Sequence, residues 1–431
     1  MPTPLPLHLS AKARRTQDSP INALIAAKLA NPELVNFAAG LVDEATLPVE
    51  EVAAIAGRIF GDPRHGRRAL QYGTTLGLRP LREELAAHLA RLEGKSAAEM
   101  GLSADDILVS TGSQQGLYLI ADVLLDVGDI VITANPSYFV FTGALQSLGA
   151  RVLAVPMDEQ GMEVEAVEKL LEELQARGEL GRVKFVYCTS FFDNPTGLSL
   201  STPRRGRLVE IVRRFSQAHR ILILEDAAYR ELRYDGEALP SIKSFDAENL
   251  YTIITQTFSK PFAPGIKLGY TAMPPDLLDQ VLRQKGGHDF GSSSVCQEIA
   301  LEAMKDGSYA RHLEVLKTEY RRKRDAILAA LRANLIESKE LHWTHPEGGI
   351  YVWLTLPQGV DTSRRGKLFE RCVEHGVLYV PGAYSFHEDE KGRTPDHHMR
   401  LCFGQVTLEE IGPGIERLAS AIGEVARTSC P

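Results

Sequence analysis

Five apolar runs, each closing in small polar residues, constrain this chain more than any other feature. They read "DILVSTG", "IVITANPSY", "RVKFVYCTS", "ILILEDAAY" and "LYTIITQTFSK". They show no clear apolar–polar alternation, so both faces of each strand are expected to be buried. Helical patterns such as "SQQGLYLIADVLLDVGD" separate them. Strands buried on both faces and alternating with helices predict a mostly parallel sheet covered by helices on both sides. Ligands of such sheets bind beyond the carboxyl ends of the strands, where the polar residues sit.

The flanking segments predict a smaller second unit. Residues 1–20 are aperiodic and read as an arm, and "INALIAAKLA" is a short helix ended by Asn31-Pro32. "LREELAAHLARLEG" is an amphipathic helix with Gly94 as its stop. After Cys296 a long helical region runs to "RANL", and "GGIYVWLTLP", "VLYVPG" and "HHMRLCFG" read as strands of another sheet. The last helix, "EEIGPGIERLASAIGEVA", is weakened at its start by Gly412-Pro413-Gly414. The expected class is α/β: a large, mostly parallel, helix-sandwiched domain plus a smaller α+β domain formed by both ends of the chain. The expected division is an arm and part of the small domain at 1–60, the large domain at 61–300 and the rest of the small domain at 301–431. A chain of 431 residues is long enough for two such lobes.

Charge and cysteine usage exclude several functions. The net charge is -8, and the densest basic run, Arg321–Arg324, lies in a helical context where a solvated face explains it. Nucleic-acid binding is not indicated. Cys188, Cys296, Cys372, Cys402 and Cys430 are odd in number, widely spaced and without a CxxC pair, so neither a zinc site nor a disulfide framework is expected. No apolar run approaches ~18 residues, and the N-terminus lacks a signal-like core. A cytoplasmic protein with reduced thiols, no metal and no membrane contact is expected.

Five polar clusters follow the strands, and each has two readings. Gly112-Ser113-Gln114-Gln115 opens a helix, which suits an anion bound by free backbone N–H groups or simple capping. Tyr138 could cover a flat ligand or pack in the core. Asn194, in "DNPTG", could present its amide or only hold a turn. Asp226 ends an apolar strand, where a buried carboxylate needs a partner, and Tyr229 follows; a structural cap is the alternative. Lys260 follows "TFS" at a strand end, where burial would lower its pKa and make it nucleophilic; a snorkelling lysine is the alternative.

Taken in order, Gly-Ser-Gln-Gln, Asn-Pro-Ser-Tyr, Asn-Pro-Thr-Gly, Asp-x-x-Tyr, Thr-x-Ser-Lys and the late Arg400 in "MRLCFG" resemble the fold-type I, pyridoxal-phosphate-dependent aminotransferases of class I/II. The likeness runs from about Ser19 to Leu418. "GSQQGL" and "LQYGTTLGLRPLREEL" look most like the branch of 2-aminoadipate, kynurenine and multisubstrate enzymes.

The resemblance implies a transferase of amino-acid metabolism, moving an amino group between an L-amino acid and a 2-oxo acid by a ping-pong cycle. Lys260 would form the Schiff base (the internal aldimine) with pyridoxal 5'-phosphate and act as general acid–base. Asp226 would pair with the pyridine nitrogen, and Asn194 and Tyr229 with the phenolic oxygen. Tyr138 would stack on the ring. Ser113, Gln114, Thr257 and Ser259 would hold the phosphate. Tyr72 would reach that phosphate from the neighbouring subunit of a homodimer. Arg400 would grip the substrate α-carboxylate, and Gly40 would lie where the N-terminal segment closes.

Two departures stand out. Lys267 occupies a position where the branch carries an arginine as phosphate cation, and a lysine lacks the planar fork. "SPINAL" places Asn22 where relatives handling acidic side chains have an arginine. A large hydrophobic or aromatic donor is therefore preferred over a dicarboxylate. Asp193 and "HDFGSSS" are unusual for the branch. Two alternatives stay open: another reaction of the same cofactor (elimination, cyclisation or oxygen-dependent oxidation) and a non-catalytic ligand-sensing domain.

Overall fold

The structure is a computed structural model that describes residues 7–18, 20–388 and 392–429. Cys430 and the start of the expected arm lie outside the described residues.

The large sheet has eight strands, in the order Ile107–Ser110, Gly269–Ala272, Thr252–Thr257, Leu222–Asp226, Val183–Thr189, Ile130–Asn135, Arg151–Asp158 and Gly161–Met162. The pairings from Thr252–Thr257 through Arg151–Asp158 are parallel, and Gly269–Ala272 runs antiparallel to both its neighbours. Successive residues go to opposite faces, as a strand's period of two requires. Ile132, Val186 and Ile223 join one apolar cluster, while Val131, Phe185, Leu224 and Ile253 join another. Both faces are thus dry, which explains why these strands read as unbroken apolar runs.

Three strands escape that pattern. Arg151–Asp158 is partly exposed along most of its length, Gly161–Met162 has only two residues, and Gly269–Ala272 is short and begins on glycine. The strand leading to Lys260 stops at Thr257, before "FSK".

The small unit is built from both chain ends. Its antiparallel sheet runs His342–Trp343, Tyr351–Thr355, His398–Cys402, Val380–Pro381. Val35–Asn36 pairs in parallel with Val377–Leu378, joining the N-terminal segment to it. The expected long helical region is two helices, Ser294–Lys305 and Ser308–Asn334, divided at left-handed Gly307. The final helix, Leu408–Ser429, continues through Pro413. Gly414 packs rather than breaks: a Cβ there would come within 2.8 Å of the Phe37 ring. Within the expected arm, Ala11–Arg15 forms a helix capped by Ser10. No helix among the described residues is long and apolar enough to cross a membrane.

Candidate active site

The parallel register places several carboxyl ends at one level, with Thr189 opposite Asp226 and Asp226 opposite Thr255. Loops leaving these ends carry most of the polar clusters. The small sheet supplies the facing wall.

Asp226 is the last residue of its strand and is buried. Tyr187 Oη donates to its Oδ2 at 3.0 Å and the Ala228 amide to its Oδ1 at 3.2 Å. Burial outweighs both bonds and pushes the carboxyl up to about 6. Among the described residues no cation pairs with it at ion-pair distance. Asp193 is a second buried carboxyl, pushed up to about 7 by burial although Thr196 donates to it.

The Lys260 Nζ donates to the Gly40 carbonyl at 2.7 Å and lies 5.7 Å from the centre of the Tyr229 ring. Burial lowers this amine to about 8; Cys402 opposes the shift and Arg400 adds to it. A useful fraction is then neutral near pH 7, unlike an ordinary lysine.

Arg400 comes from the small sheet and is buried. One terminal nitrogen donates to Asn194 Oδ1 and the other to the Ala38 carbonyl, each at 2.8 Å. Its Nε has no hydrogen-bond partner among the described residues. The guanidinium lies 4.4 Å from the Tyr351 ring centre and 5.8 Å from that of Phe139. Because Asn194 accepts through its oxygen, its amide nitrogen stays available as a donor.

Ser113 and Gln114 open the helix Ser113–Leu124 behind Gly112, which has a φ of 76°. The first-turn N–H groups of a helix have no partner within it. Gly269 passes so close that a Cβ would meet the Ser113 amide nitrogen at 2.4 Å. Thr257 Oγ1 accepts from the Ser259 amide at 3.1 Å, shaping the turn beside it. Lys267 ends the short turn Pro264–Ile266 in a left-handed conformation, with φ 50°. Its side chain is exposed and makes no hydrogen bond or ion pair among the described residues.

Tyr138 stands at the start of the helix Phe139–Leu148, and burial raises the proton affinity of its hydroxyl, with Asp226 and Tyr351 adding to the shift and Arg400 opposing it. Tyr72 stands apart. It is 84% exposed and meets Phe290 edge-on at 5.8 Å. Within one chain the structure gives it no contact with Lys260, Asp226 or Arg400.

Sequence reasoning missed Tyr187 and Tyr351. Tyr187 lies two residues before the end of the strand next to Asp226, so the period of two could have found it. Tyr351 lies 122 residues from Tyr229, whose hydroxyl it meets at 2.8 Å, and no local pattern signals that contact. "HDFGSSS" has a structural explanation. Asp289 accepts from Lys285 at 2.6 Å, from Gln115 at 2.7 Å and from the Gly291 amide at 3.0 Å. The resulting turn presents Phe290 to Tyr72.

Comparison with known proteins is consistent with this geometry. The family model "Aminotransferase class I and II" matches residues 32–418. The aromatic-amino-acid aminotransferase 1 of Thermococcus litoralis is 36% identical over 419 residues, covering 97% of this chain and 94% of that one. The structure of a kynurenine aminotransferase from Pyrococcus horikoshii in complex with PMP superposes with a TM-score of 0.87 at 34% identity, covering 97% of each chain. An alpha-aminoadipate aminotransferase from Thermus thermophilus, complexed with N-(5'-phosphopyridoxyl)-L-leucine, gives 0.82 at 32% identity, covering 97% of this chain and 98% of that one.

Proposed function

The chain belongs to the class I and II aminotransferases, and from that premise we propose how its residues divide the work of a pyridoxal-phosphate-dependent transamination. The donor set fits that cofactor. Asp226 is a buried carboxylate lacking a paired cation among the described residues, Lys260 is an amine of lowered proton affinity, and Gly269 leaves room only for backbone against the helix start at Ser113.

When bound, pyridoxal phosphate supplies an electron sink for negative charge developing at the substrate Cα. Lys260 would hold the cofactor through its aldehyde carbon, and its Nζ, when not so engaged, would move the substrate Cα proton as general base and acid. Asp226 stays ionised opposite the pyridine nitrogen and keeps that nitrogen protonated. Asn194 and Tyr229 donate to the phenolic oxygen, and Tyr138 covers the ring. Ser113, Gln114, Thr257 and Ser259 take the phosphate at the helix start, with Lys267 as the nearby cation.

Arg400 binds the α-carboxylate of the amino acid, then that of the 2-oxo acid, so both substrates use one site in turn. The rings of Tyr351 and Phe139 beside it favour large hydrophobic or aromatic donors, consistent with the aromatic and kynurenine enzymes among the relatives. Leu70, Tyr72 and Phe290 form an exposed apolar patch, at 71%, 84% and 61% exposure. This patch supports a homodimer in which Tyr72 completes the partner's phosphate site.

The observation that carries the reading is the Lys260 amine, held between Gly40 and Tyr229 at the carboxyl edge of the sheet. Borohydride reduction of the holoprotein followed by peptide mass analysis tests it. A phosphopyridoxyl group on Lys260 is expected, and reduction that labels another lysine, or none, overturns it. Adding single amino acids to the holoprotein and measuring the 2-oxo acid released then ranks the donors. Ammonia released without an acceptor would instead indicate elimination or oxidation.

A further inference from the structure

We propose that Tyr351 is a positioning residue of this site, its hydroxyl orienting that of Tyr229 and its ring holding the plane of Arg400. The inference rests on the aminotransferase reading and adds a residue that joins the cofactor side of the pocket to the substrate side.

Tyr351 opens the strand Tyr351–Thr355 and pairs with Cys402. Arg400 lies two residues from Cys402 on the neighbouring strand, so Tyr351 and Arg400 are diagonal neighbours on one face of the small sheet. The guanidinium lies 4.4 Å from the ring centre. The same ring meets Tyr229 at 5.5 Å and 75°, and the two hydroxyls are 2.8 Å apart. One side chain therefore touches both the residue assigned to the phenolic oxygen and the residue assigned to the carboxylate.

The N-terminal segment leaves room for this arrangement. A Cβ on Gly40 would stand 2.6 Å from the Tyr351 hydroxyl oxygen. Only glycine lets that hydroxyl reach Tyr229 while the Gly40 carbonyl accepts from Lys260.

The charged and titratable groups facing this pair are Tyr138, Asp193, Lys260, Arg400 and Cys402. Burial raises Tyr351 to about 12 and Tyr229 well above its usual value. Both phenols are neutral at working pH, so the link acts through the hydrogen bond. If Tyr229 donates to the phenolic oxygen, its own oxygen must accept, and Tyr351 is the donor. A hydroxyl that accepts one bond donates the next more strongly. Losing the Tyr351 hydroxyl should weaken the Tyr229 bond and raise the pH at which the visible absorption of the holoprotein titrates.

Three single variants and a Tyr229→Phe background test this. Tyr351→Phe removes the hydroxyl and keeps the ring; the titration should move up by roughly half a unit, with KM for amino acids nearly unchanged. Gly40→Ala crowds the same hydroxyl without altering the ring and should move it the same way. Tyr351→Leu removes the ring as well and should raise KM several-fold. In a Tyr229→Phe background, Tyr351→Phe should cause no further shift. An unmoved titration in both Tyr351→Phe and Gly40→Ala, or a shift that persists without the Tyr229 hydroxyl, overturns the inference while leaving the aminotransferase reading intact. An unaltered protein that takes up no cofactor overturns both.

Discussion

The two walls of the pocket are built on different physical terms. The large-sheet wall concentrates buried titratable groups whose proton affinities are displaced toward neutrality: Asp226 to about 6, Asp193 to about 7 and Lys260 to about 8. The small-sheet wall offers Arg400, Tyr351 and the nearby Gly40, fixed by hydrogen bonds, ring contacts and close approach. Parallel strand ends deliver side chains into a dry interior, where desolvation tunes them. The second wall is assembled from distant segments and sets distances. Changes to the first wall should therefore act on chemistry and proton balance, and changes to Arg400 in the second on substrate binding, with the Tyr351 hydroxyl and Gly40 as the point where the second wall reaches into the proton balance of the first.

The largest effect is expected at Lys260. Lys260→Ala removes both the covalent hold and the base, and positioned proton transfer alone is worth about 10²–10⁴ in rate. Turnover should fall by at least about 10⁴-fold, with borohydride labelling of the protein lost. Retained turnover would move the chemistry away from this wall.

Asp226→Asn should separate function from stability. The folded-state pKa of Asp226 is raised above its ordinary value of 3.8 to about 6. Its contribution to stability is therefore fully present below about pH 4 and is lost as pH rises through about 6. In the cofactor-free protein at pH 7, an ionised Asp226 costs up to about 3 kcal/mol. Asp226→Asn should raise Tm of the cofactor-free protein at pH 7, do so much less at pH 4, and abolish most turnover. A lower Tm at pH 7 would show that the carboxylate is structurally paired, and the contrast between the walls would fail.

Arg400→Gln tests the other wall. A charge-assisted bond is worth roughly 1.5–3 kcal/mol, so KM for amino acids should rise about ten- to a hundredfold while borohydride labelling of Lys260 is preserved. A change in labelling with unaltered KM would place Arg400 on the cofactor side.

How much of this site was visible in the sequence follows the same division. Asp226, Asn194, Ser113 and Lys260 stand out because each ends or follows an apolar strand buried on both faces, and the carboxyl end of such a strand is itself informative. Gly269–Ala272 offered no such cue, although it presses against the helix start that carries Ser113. Tyr351 and Gly40 were harder still. Gly40 was placed by family likeness alone, and the contact of Tyr351 with Tyr229 across 122 residues leaves no periodicity to read. The Pro413 segment misled for a related reason. Glycine at 414 reads locally as a break, but tertiary packing against Phe37 decides its role.

The smallest expected effect is at Lys267, which belongs to the large-sheet wall by position but not by physics. It is exposed and makes no hydrogen bond or ion pair among the described residues. A solvent-facing charge contributes about 0–1 kcal/mol. Lys267→Gln should weaken cofactor binding only a few-fold, and added salt should erase the difference. Lys267→Arg keeps the charge and adds a fork suited to phosphate, so the cofactor Kd should be equal or lower. Neither change relieves the backbone, because glutamine and arginine are no more at ease than lysine at a φ of 50°, where glycine is. Lys267→Gly thus removes charge and strain together, and a higher Tm in Lys267→Gly than in Lys267→Gln would report the relief of strain. If Lys267→Arg loses affinity by more than tenfold, the lysine is doing something a phosphate cation does not explain, and the exposed loop would join the tuned wall after all.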